Sequence, residues 1–329
     1  MELFHQKTQI DFVGNRHKLF AVSGALVAVS LASILFKGFN YGIEFMGGSV
    51  IQLTYSTPQS IEQMRSDLAE AGKSEVGVQQ FTGTETFSLR MKAEGEGSAQ
   101  ATDELIAALE RARPESKFRV DKKDFVGPAV GKHLYRQALL AILLSLAGIV
   151  VYVAFRFSNL IWGLAGITAL GHDVIVLLGL YSLLGSEMNL VLVAAVLTLA
   201  GYSINDTIVI FDRMREKMRL MRKEPLERII NESVNETLSR TFITAFTVFM
   251  AVMSLWLVGG SIIRDFAMGM TFGTLIGCYS TIAVASPLVF VFNARPSSAP
   301  ALAPSGKPEP ARTPGNGPTQ QRERKRKRN

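Results

Sequence analysis

The sequence predicts a polytopic α-helical membrane protein, six transmembrane helices carrying one small α+β, ferredoxin-like periplasmic domain. Three observations predict it. First, long stretches carry no charge: none lies between Lys18 and Lys37, Arg136 and Arg156, Arg240 and Arg264, or Asp265 and Arg295. Two further runs, 160–184 and 188–211, are broken only by His172, Asp173 and Asp206. Crossing ~30 Å of hydrocarbon takes about 20 apolar residues, and each run approaches or exceeds that length. Second, the one long polar stretch, 38–132, alternates strand and helix patterns. Third, Lys and Arg crowd one set of connections. Bulk composition, 48% hydrophobic and 19% charged over 329 residues, would equally suit a large soluble core, so the local runs decide the class.

Taken in order, residues 1–18 form an N-terminal segment and 19–37 the first span. Arg16 and Lys18 ahead of an apolar run resemble a signal peptide. The run is long for one, and "KGFNYGIEF" follows it instead of a small-x-small cleavage site, so the span is read as retained. Within 38–132, "GGSVIQLTYS" reads as a strand and "PQSIEQMRSDLAEAG" as an amphipathic helix opened near Pro58 and closed at Gly72. "VGVQQFTGTETFSLRMK" reads as two strands around a Thr-Gly turn, followed by a helix "AQATDELIAALERA" and a strand "KFRVDKKDFV". The order β-α-β-β-α-β is that of a sheet with one layer of helices. It holds no nucleophile-base pair, metal cluster or phosphate loop, which favours binding over catalysis.

Helices 2–4 follow over 133–211, then an amphipathic segment over 212–239 and helices 5–6 over 240–293. In "EPLERIINESVNETLSR", Pro225 can open a helix with Leu226, Ile229, Ile230, Val234 and Leu238 on one stripe. Such a stripe suits the membrane surface or packing on the protein's own helix ends. Small residues on span 2 (Ser145, Ala147, Gly148) and span 6 (Gly269, Gly273, Gly277) suit close helix packing. Cys278, the only cysteine, lies in span 6 and reads as a small packing residue.

Orientation follows from the basic flanks. Arg213, Arg215, Lys217, Arg219, Arg222 and Lys223 follow span 4, and Arg156 follows span 2, whereas the "GSE" turn after span 3 has no basic residue. Both termini are therefore expected in the cytoplasm and the 38–132 domain outside; Arg264, beside Asp265, is the exception. In the tail, 294–329, nine basic side chains against Glu309 and Glu323 leave +7, the whole net charge. Rich in Pro, Ser and Gly, it reads as disordered, its basic end attracted to anionic lipid or, as an alternative, to nucleic acid or the ribosome.

The residue that asks for a function is Asp206, with Asn205, inside an apolar run. An ionised Asp at mid-bilayer costs roughly 2.5–3.5 kcal/mol or more, so it is expected to face the bundle interior and to work there. Thr198, Tyr202, Asn205, Asp206 and Arg213 fall on or near one side of a helix. A carboxyl group so placed can take a proton from one side and release it to the other. Arg240, at the mouth of span 5, is the candidate counter-charge; it also suits an interfacial anchor. His172 and Asp173 either extend a proton relay or cross-link helices. No catalytic residue and no metal cluster is read from the sequence.

The motifs "FNYGIEFMGGSVIQL", "GHDVIVLLGL", "GYSINDTIVIFDRMREKMR" and "TLSRTFITAF" resemble, in matching order, those of the SecF family of preprotein translocase subunits in the resistance-nodulation-division superfamily. The resemblance covers the chain to about Asn293. It implies a bacterial inner-membrane subunit that, with SecD, uses the proton-motive force to assist late stages of protein translocation through SecYEG. It also implies YajC as a further candidate partner, a translocating unfolded polypeptide as the client, protons as the coupling ion with sodium as the alternative, and no other cofactor. The family's membrane carboxylate matches Asp206 and its fifth-span arginine Arg240, and its motif glycines match Gly42, Gly47, Gly48 and Gly201. Two rivals are a proton-coupled small-molecule or lipid exporter of the same superfamily and an intramembrane protease using Asp173 and Asp206 as a dyad. A third is a structural scaffold.

Overall fold

The computed structural model describes residues 8–80, 85–92, 98–114, 116–157 and 160–293. The Thr-Gly turn at Thr82 and Gly83 and the basic tail at 294–329 lie outside the described residues. From the N-terminal end, α1 (Arg16–Lys37) leads to a short strand β1 (Asn40–Tyr41) and a single helical turn α2 (Ile43–Met46). The sheet domain follows as β2 (Gly48–Tyr55), α3 (Ile61–Glu70), β3 (Gly77–Gln80), β4 (Thr86–Lys92), α4 (Ser98–Ala112) and β5 (Phe118–Val126). Next come α5 (Pro128–Phe157), α6 (Leu160–Leu184), a short strand β6 (Glu187–Met188), α7 (Leu190–Leu220) and α8 (Leu226–Val258). The last membrane helix is built from α9 (Ser261–Ser280), a π-helical turn (Thr281–Ala285) and α10 (Ser286–Asn293). Six helices are long and apolar enough to cross a membrane, as the charge-free runs predict.

The sheet has the order β3-β4-β2-β5, every pair antiparallel, which with its helices is the expected ferredoxin-like arrangement. Strand alternation makes it: Ile51, Leu53, Phe87 and Leu89 point to one face and meet Met64, Leu68, Leu105 and Leu109 from α3 and α4. Ser60 caps α3 by accepting a hydrogen bond from the Gln63 N–H at 3.2 Å. The domain joins the bundle at a tight crossing. Gly47, in the left-handed region at φ 75°, lies so close to Pro128 that a Cβ would stand 2.9 Å from its Cα. A parallel bridge, Asn40 to Glu187 and Tyr41 to Met188, ties the start of the domain to the turn between α6 and α7. Sequence pattern gives no hint of this bridge, because two-residue strands carry no period.

In the bundle, α6, α7 and the last helix are central, each half buried, while α1, α5 and α8 are mostly uncovered. The glycine stripe of α9 explains the tightest contact. A Cβ at Gly269 would stand 3.0 Å from the Ala195 Cβ, one at Gly273 2.9 Å from Leu199 and one at Gly277 3.2 Å from the Ser203 Cβ, all on α7. The small residues expected to pack on span 2 behave differently: Ala147 and Gly148 are exposed, and nothing approaches Gly148 within 4 Å.

Beyond the apolar runs, α7 and α8 continue side by side. Lys217 bonds Glu236 at 2.8 Å and Glu232 at 3.4 Å, and Arg213 Nε bonds Glu236 at 2.7 Å. Ile229, Ile230 and Val234 are buried beneath these pairs. Of the two uses open to this amphipathic stretch, packing on the protein's own helices is the one adopted. Its outer side holds the N-terminal segment: Asn235 accepts from the Ile10 N–H at 3.0 Å and donates to the Ile10 carbonyl at 2.8 Å, while Asn231 accepts from the N–H groups of Phe12 and Val13 at 3.0 Å each.

Gly273→Leu is expected to overpack the α7–α9 contact and destabilise the folded chain by about 1–3 kcal/mol, whereas Gly148→Leu leaves it within about 0.5 kcal/mol. Thermal unfolding in detergent compares the two; equal losses would show that the glycine stripe is not the tight contact.

Candidate functional site

Helix α7 contributes to both parts of the site, Asp206 facing α8 and Ser203 reaching Asp173 of α6. The start of α7 is capped, with Asn189 accepting from the Leu192 N–H at 2.9 Å. On its inward face Leu192, Ala195, Val196, Leu199, Ser203, Asp206, Thr207 and Ile210 are all buried. The polar stripe expected on one side therefore splits. Asp206 is 5% exposed, Tyr202 is half-buried, and Thr198 and Asn205 face outward. Arg213 lies further along, bonded to Glu216 at 2.5 Å and to Glu236.

Asp206 is enclosed yet not satisfied. Its Oδ2 is buried with no hydrogen-bond partner among the described residues, and the same holds for Tyr202 Oη one turn away and Thr241 Oγ1 on α8. The positive charge that acts on Asp206 is that of Arg240, beside Thr241 on α8. Arg240 itself is exposed on the bundle surface. The two residues thus sit on neighbouring packed helices, coupled through space and not locked by a hydrogen bond.

Asp173, on α6, is the opposite case. Fully buried, it accepts from Ser203 Oγ of α7 at 2.5 Å and from Ser280 Oγ of α9 at 2.8 Å, and its other oxygen meets His172 Nδ1 at 3.0 Å. Next to it Thr207 and Thr281 hydroxyls meet at 3.1 Å, joining α7 to the π-turn, which Ser286 Oγ stitches by donating to the Thr281 carbonyl at 2.9 Å. Both Asp173 oxygens are engaged by partners other than Asp206, so the two aspartates do not form the dyad a protease requires. Of the relay expected from His172 and Asp173, the structure brings together a helix cross-link; His172 Nε2 is buried without a partner among the described residues. Among the described residues no three His, Cys, Asp or Glu side chains are placed to hold a metal.

Ser203, Ser280, Thr207 and Thr281 were not singled out by sequence. Ser203 and Thr207 are four apart, which is a usable signal on a helix that also carries Asp206; Ser280 and Thr281 look like ordinary membrane hydroxyls until the fold places them. The motif glycines serve distinct ends. Gly47 makes the close crossing on Pro128, Gly48 adopts φ 140° at the start of β2, and Gly201 lies open on the outward side of α7. At Gly42, which donates to the Met188 carbonyl at 2.8 Å, a Cβ would stand 3.0 Å from Glu187 Oε1.

A second polar cluster lies where the sheet domain meets the bundle. Arg90 of β4 pairs with Glu187 of β6 and also donates to Gln79 at 3.1 Å and Asn40 at 3.2 Å. Arg90, Glu187 and Gln79 line a cavity of about 350 Å³ together with Glu44 and Asp265. Burial raises the Glu187 carboxyl against the pull of Arg90, and with the negative charges of Glu44 and Asp265 brings it up to about 7.

The protein-export membrane protein SecD/SecF C-terminal family model matches residues 106–295, and the SecD/SecF GG motif matches 32–59. The protein translocase subunit SecF of Calditerrivibrio nitroreducens is 41% identical over 88% of this chain and 96% of its own length. That of Magnetococcus marinus is 40% identical over 89% of this chain and 95% of its own. The crystal structure of SecDF, a translocon-associated membrane protein from Thermus thermophilus, superposes with a TM-score of 0.80 at 36% identity. The match covers 89% of this chain and 40% of that longer one. With a family model across more than half its length and relatives that it spans nearly end to end, the chain belongs to the SecF family of protein translocase subunits.

Proposed function

We propose that this SecF-family export subunit works with SecD to draw on the proton-motive force at Asp206, assisting late stages of translocation of an unfolded polypeptide through SecYEG in the bacterial inner membrane. The single observation that carries the reading is the unpartnered, buried Oδ2 of Asp206 beside Arg240. A carboxylate whose purpose is structural collects donors, as Asp173 does. One that must gain and lose a proton keeps an oxygen free.

The surroundings supply the rest of the step. With Asp206 ionised, the field of Arg240 offsets part of the cost of a charge in hydrocarbon. A proton arriving from the outer side neutralises Asp206 and removes its hold on Arg240, so the packing of α7 on α8 has two states. Moving one charge through the membrane is worth about 2.3 kcal/mol per 100 mV, enough to bias such an equilibrium. Sodium in place of the proton is the alternative ion.

Arg240 and Asn205 are exposed on the surface of α8 and α7, with Thr198, Gly201, Thr244 and Thr247 on the same two helices. An arginine and an asparagine turned to lipid tails would be costly, while small and hydroxyl residues suit helix-to-helix contact. This surface is the one we assign to SecD. The basic flanks favour both termini in the cytoplasm and the sheet domain outside, where it would handle the emerging chain. The basic tail would rest on anionic lipid, and YajC is a further candidate partner. No covalent step is assigned to the chain.

Export of a secretory precursor into membrane vesicles containing this chain and SecD is expected to be stimulated by an imposed proton gradient, and Asp206→Asn is expected to abolish the stimulation. Equal stimulation of both would remove Asp206 from the coupling path; stimulation by a sodium gradient alone would change the ion and keep the site. Stability should separate the two aspartates as well. Asp173→Ala strands two buried serine hydroxyls and is expected to cost about 2–5 kcal/mol, while Asp206→Asn stays within about 1 kcal/mol of the native chain in detergent unfolding.

A further inference from the structure

Beyond the β1–β6 bridge, which precedes the Gly47 crossing, the sheet domain touches the bundle at two kinds of place. One is its pair of covalent entries, which cross at Gly47 and Pro128 with no room for a side chain. The other is the Arg90 contact on the turn between α6 and α7. The first has the form of a pivot and the second of a seat, since Arg90 comes from the middle of β4 and its partner lies 97 residues away in sequence. Seated, the domain covers one side of the cavity of about 350 Å³ and leaves Glu187 only partly exposed.

We propose that Glu187 is a second proton-uptake residue of this chain, loaded from the outer side as the sheet domain seats on the bundle, with Arg90 as the residue that positions it. The meaning given to the proton rests on the export reading; the seating itself does not.

The charged groups around Glu187 come from every neighbouring element. Glu44 on α2 has a buried Oε2 without a partner among the described residues, and Asp265 on α9 accepts from Asn189 at 3.0 Å. Arg264 on α9 and Lys122 and Asp124 on β5 complete the cavity wall, the last two paired with each other. Lys37 at the end of α1 is occupied with the Leu183 carbonyl at 2.7 Å. Arg90 is thus the cation that Glu187 engages, and the two acids nearest it in effect, Glu44 and Asp265, oppose its ionisation.

The sign follows from linkage. The seated carboxyl titrates at about 7 against an ordinary 4.5, so the seated state holds its proton more tightly than an unseated, solvated one. Acid therefore favours seating. The advantage is present in full below about 4.5 and is lost as the pH rises through about 7. Arg90 keeps the seat from failing outright above that range, because the ion pair forms as the proton leaves.

Spin labels at Ser74 of the sheet domain and Leu184 at the end of α6, in a Cys278→Ser background of the full chain in lipid nanodiscs, report the seated fraction as a distance distribution. The equilibrium between seated and unseated forms is expected to shift by on the order of a hundredfold at most toward the unseated form between pH 5 and pH 8. Glu187→Gln, a permanent stand-in for the protonated acid, is expected to hold the acid distribution at both pH values. Glu187→Asp keeps the response. A distribution that does not change with pH in the native chain, or that changes equally in Glu187→Gln, overturns the proposal; loss of the response in Asp265→Asn or Glu44→Gln with Glu187→Gln unaffected moves the proton elsewhere and overturns it too. Infrared difference spectra between pH 5 and pH 8 are independent of whether Glu187→Gln folds: a protonated-carboxyl band that moves in Glu187→Asp supports the assignment, and an unchanged band refutes it. Neither readout uses export, so this proposal and the export reading stand or fall separately.

Discussion

Hydrocarbon offers no hydrogen bonds, so every polar group inside the bundle depends on the protein for its partners. Asp173 is where that constraint is met most fully. Its carboxyl draws Ser203 from α7 and Ser280 from α9 onto one oxygen and His172 onto the other, which ties the three central helices at one point. The donors reach it only because α7 and α9 run very close together. Gly277 sits against Ser203, and Gly273 against Leu199, with no space for a side chain. The glycine stripe and the buried aspartate are therefore one device: close packing brings the hydroxyls within reach, and the hydroxyls make the charge tolerable.

Against this tied frame Asp206 stands out by what it lacks. Three residues past Ser203 and equally hidden from solvent, it has one oxygen without a partner. Burial alone does not separate the two aspartates, and neither does their setting in apolar helices. The difference is the number of donors, and it divides a fixed point from the position at which we propose that the charge changes. A change there is cheap for the frame, since no hydrogen bond to Asp206 Oδ2 has to break. It acts on Arg240, which belongs to α8, a mostly uncovered helix beside it.

Much of this was legible in the sequence for simple physical reasons. Charge-free runs of membrane length need no fold to be recognised, and strand alternation in "GGSVIQLTYS" exposes the inward face of β2. Asp206 was visible as a polar residue too costly for a lipid-facing position, and Gly269, Gly273 and Gly277 through their four-residue period. What escaped depends on distance along the chain. Arg90 and Glu187 meet across 97 residues, and Asp173 with Ser280 across 107; neither pair has a period or spacing to announce it. The small residues of span 2 show the converse failure. Ala147 and Gly148 carry the same close-packing pattern as α9, yet they face away from this chain's other helices, because the pattern states that a helix can approach and not which one does.

The two positions to which we assign proton binding lie along one stretch of chain, a short strand followed by a helix. Glu187 lies on the strand that leads straight into α7, whose first residue is Leu190, and Asp206 is carried by the same helix. At 1.5 Å per residue the sixteen positions from Leu190 to Asp206 span about 24 Å. A helix capped at Asn189 and gripped at Ser203 moves as a rod over that length, with Tyr181 holding the Asp265 carbonyl of α9 at 3.0 Å beside its outer end. Seating the sheet domain therefore acts on the top of the helix whose middle holds the unpartnered carboxyl. The coupling we propose between the sheet domain and the membrane carboxylate needs no chain of intermediate residues; it needs only that the seat lies at the strand leading into the helix that carries the carboxyl, and that the contact between α7 and α8 is free to take two positions.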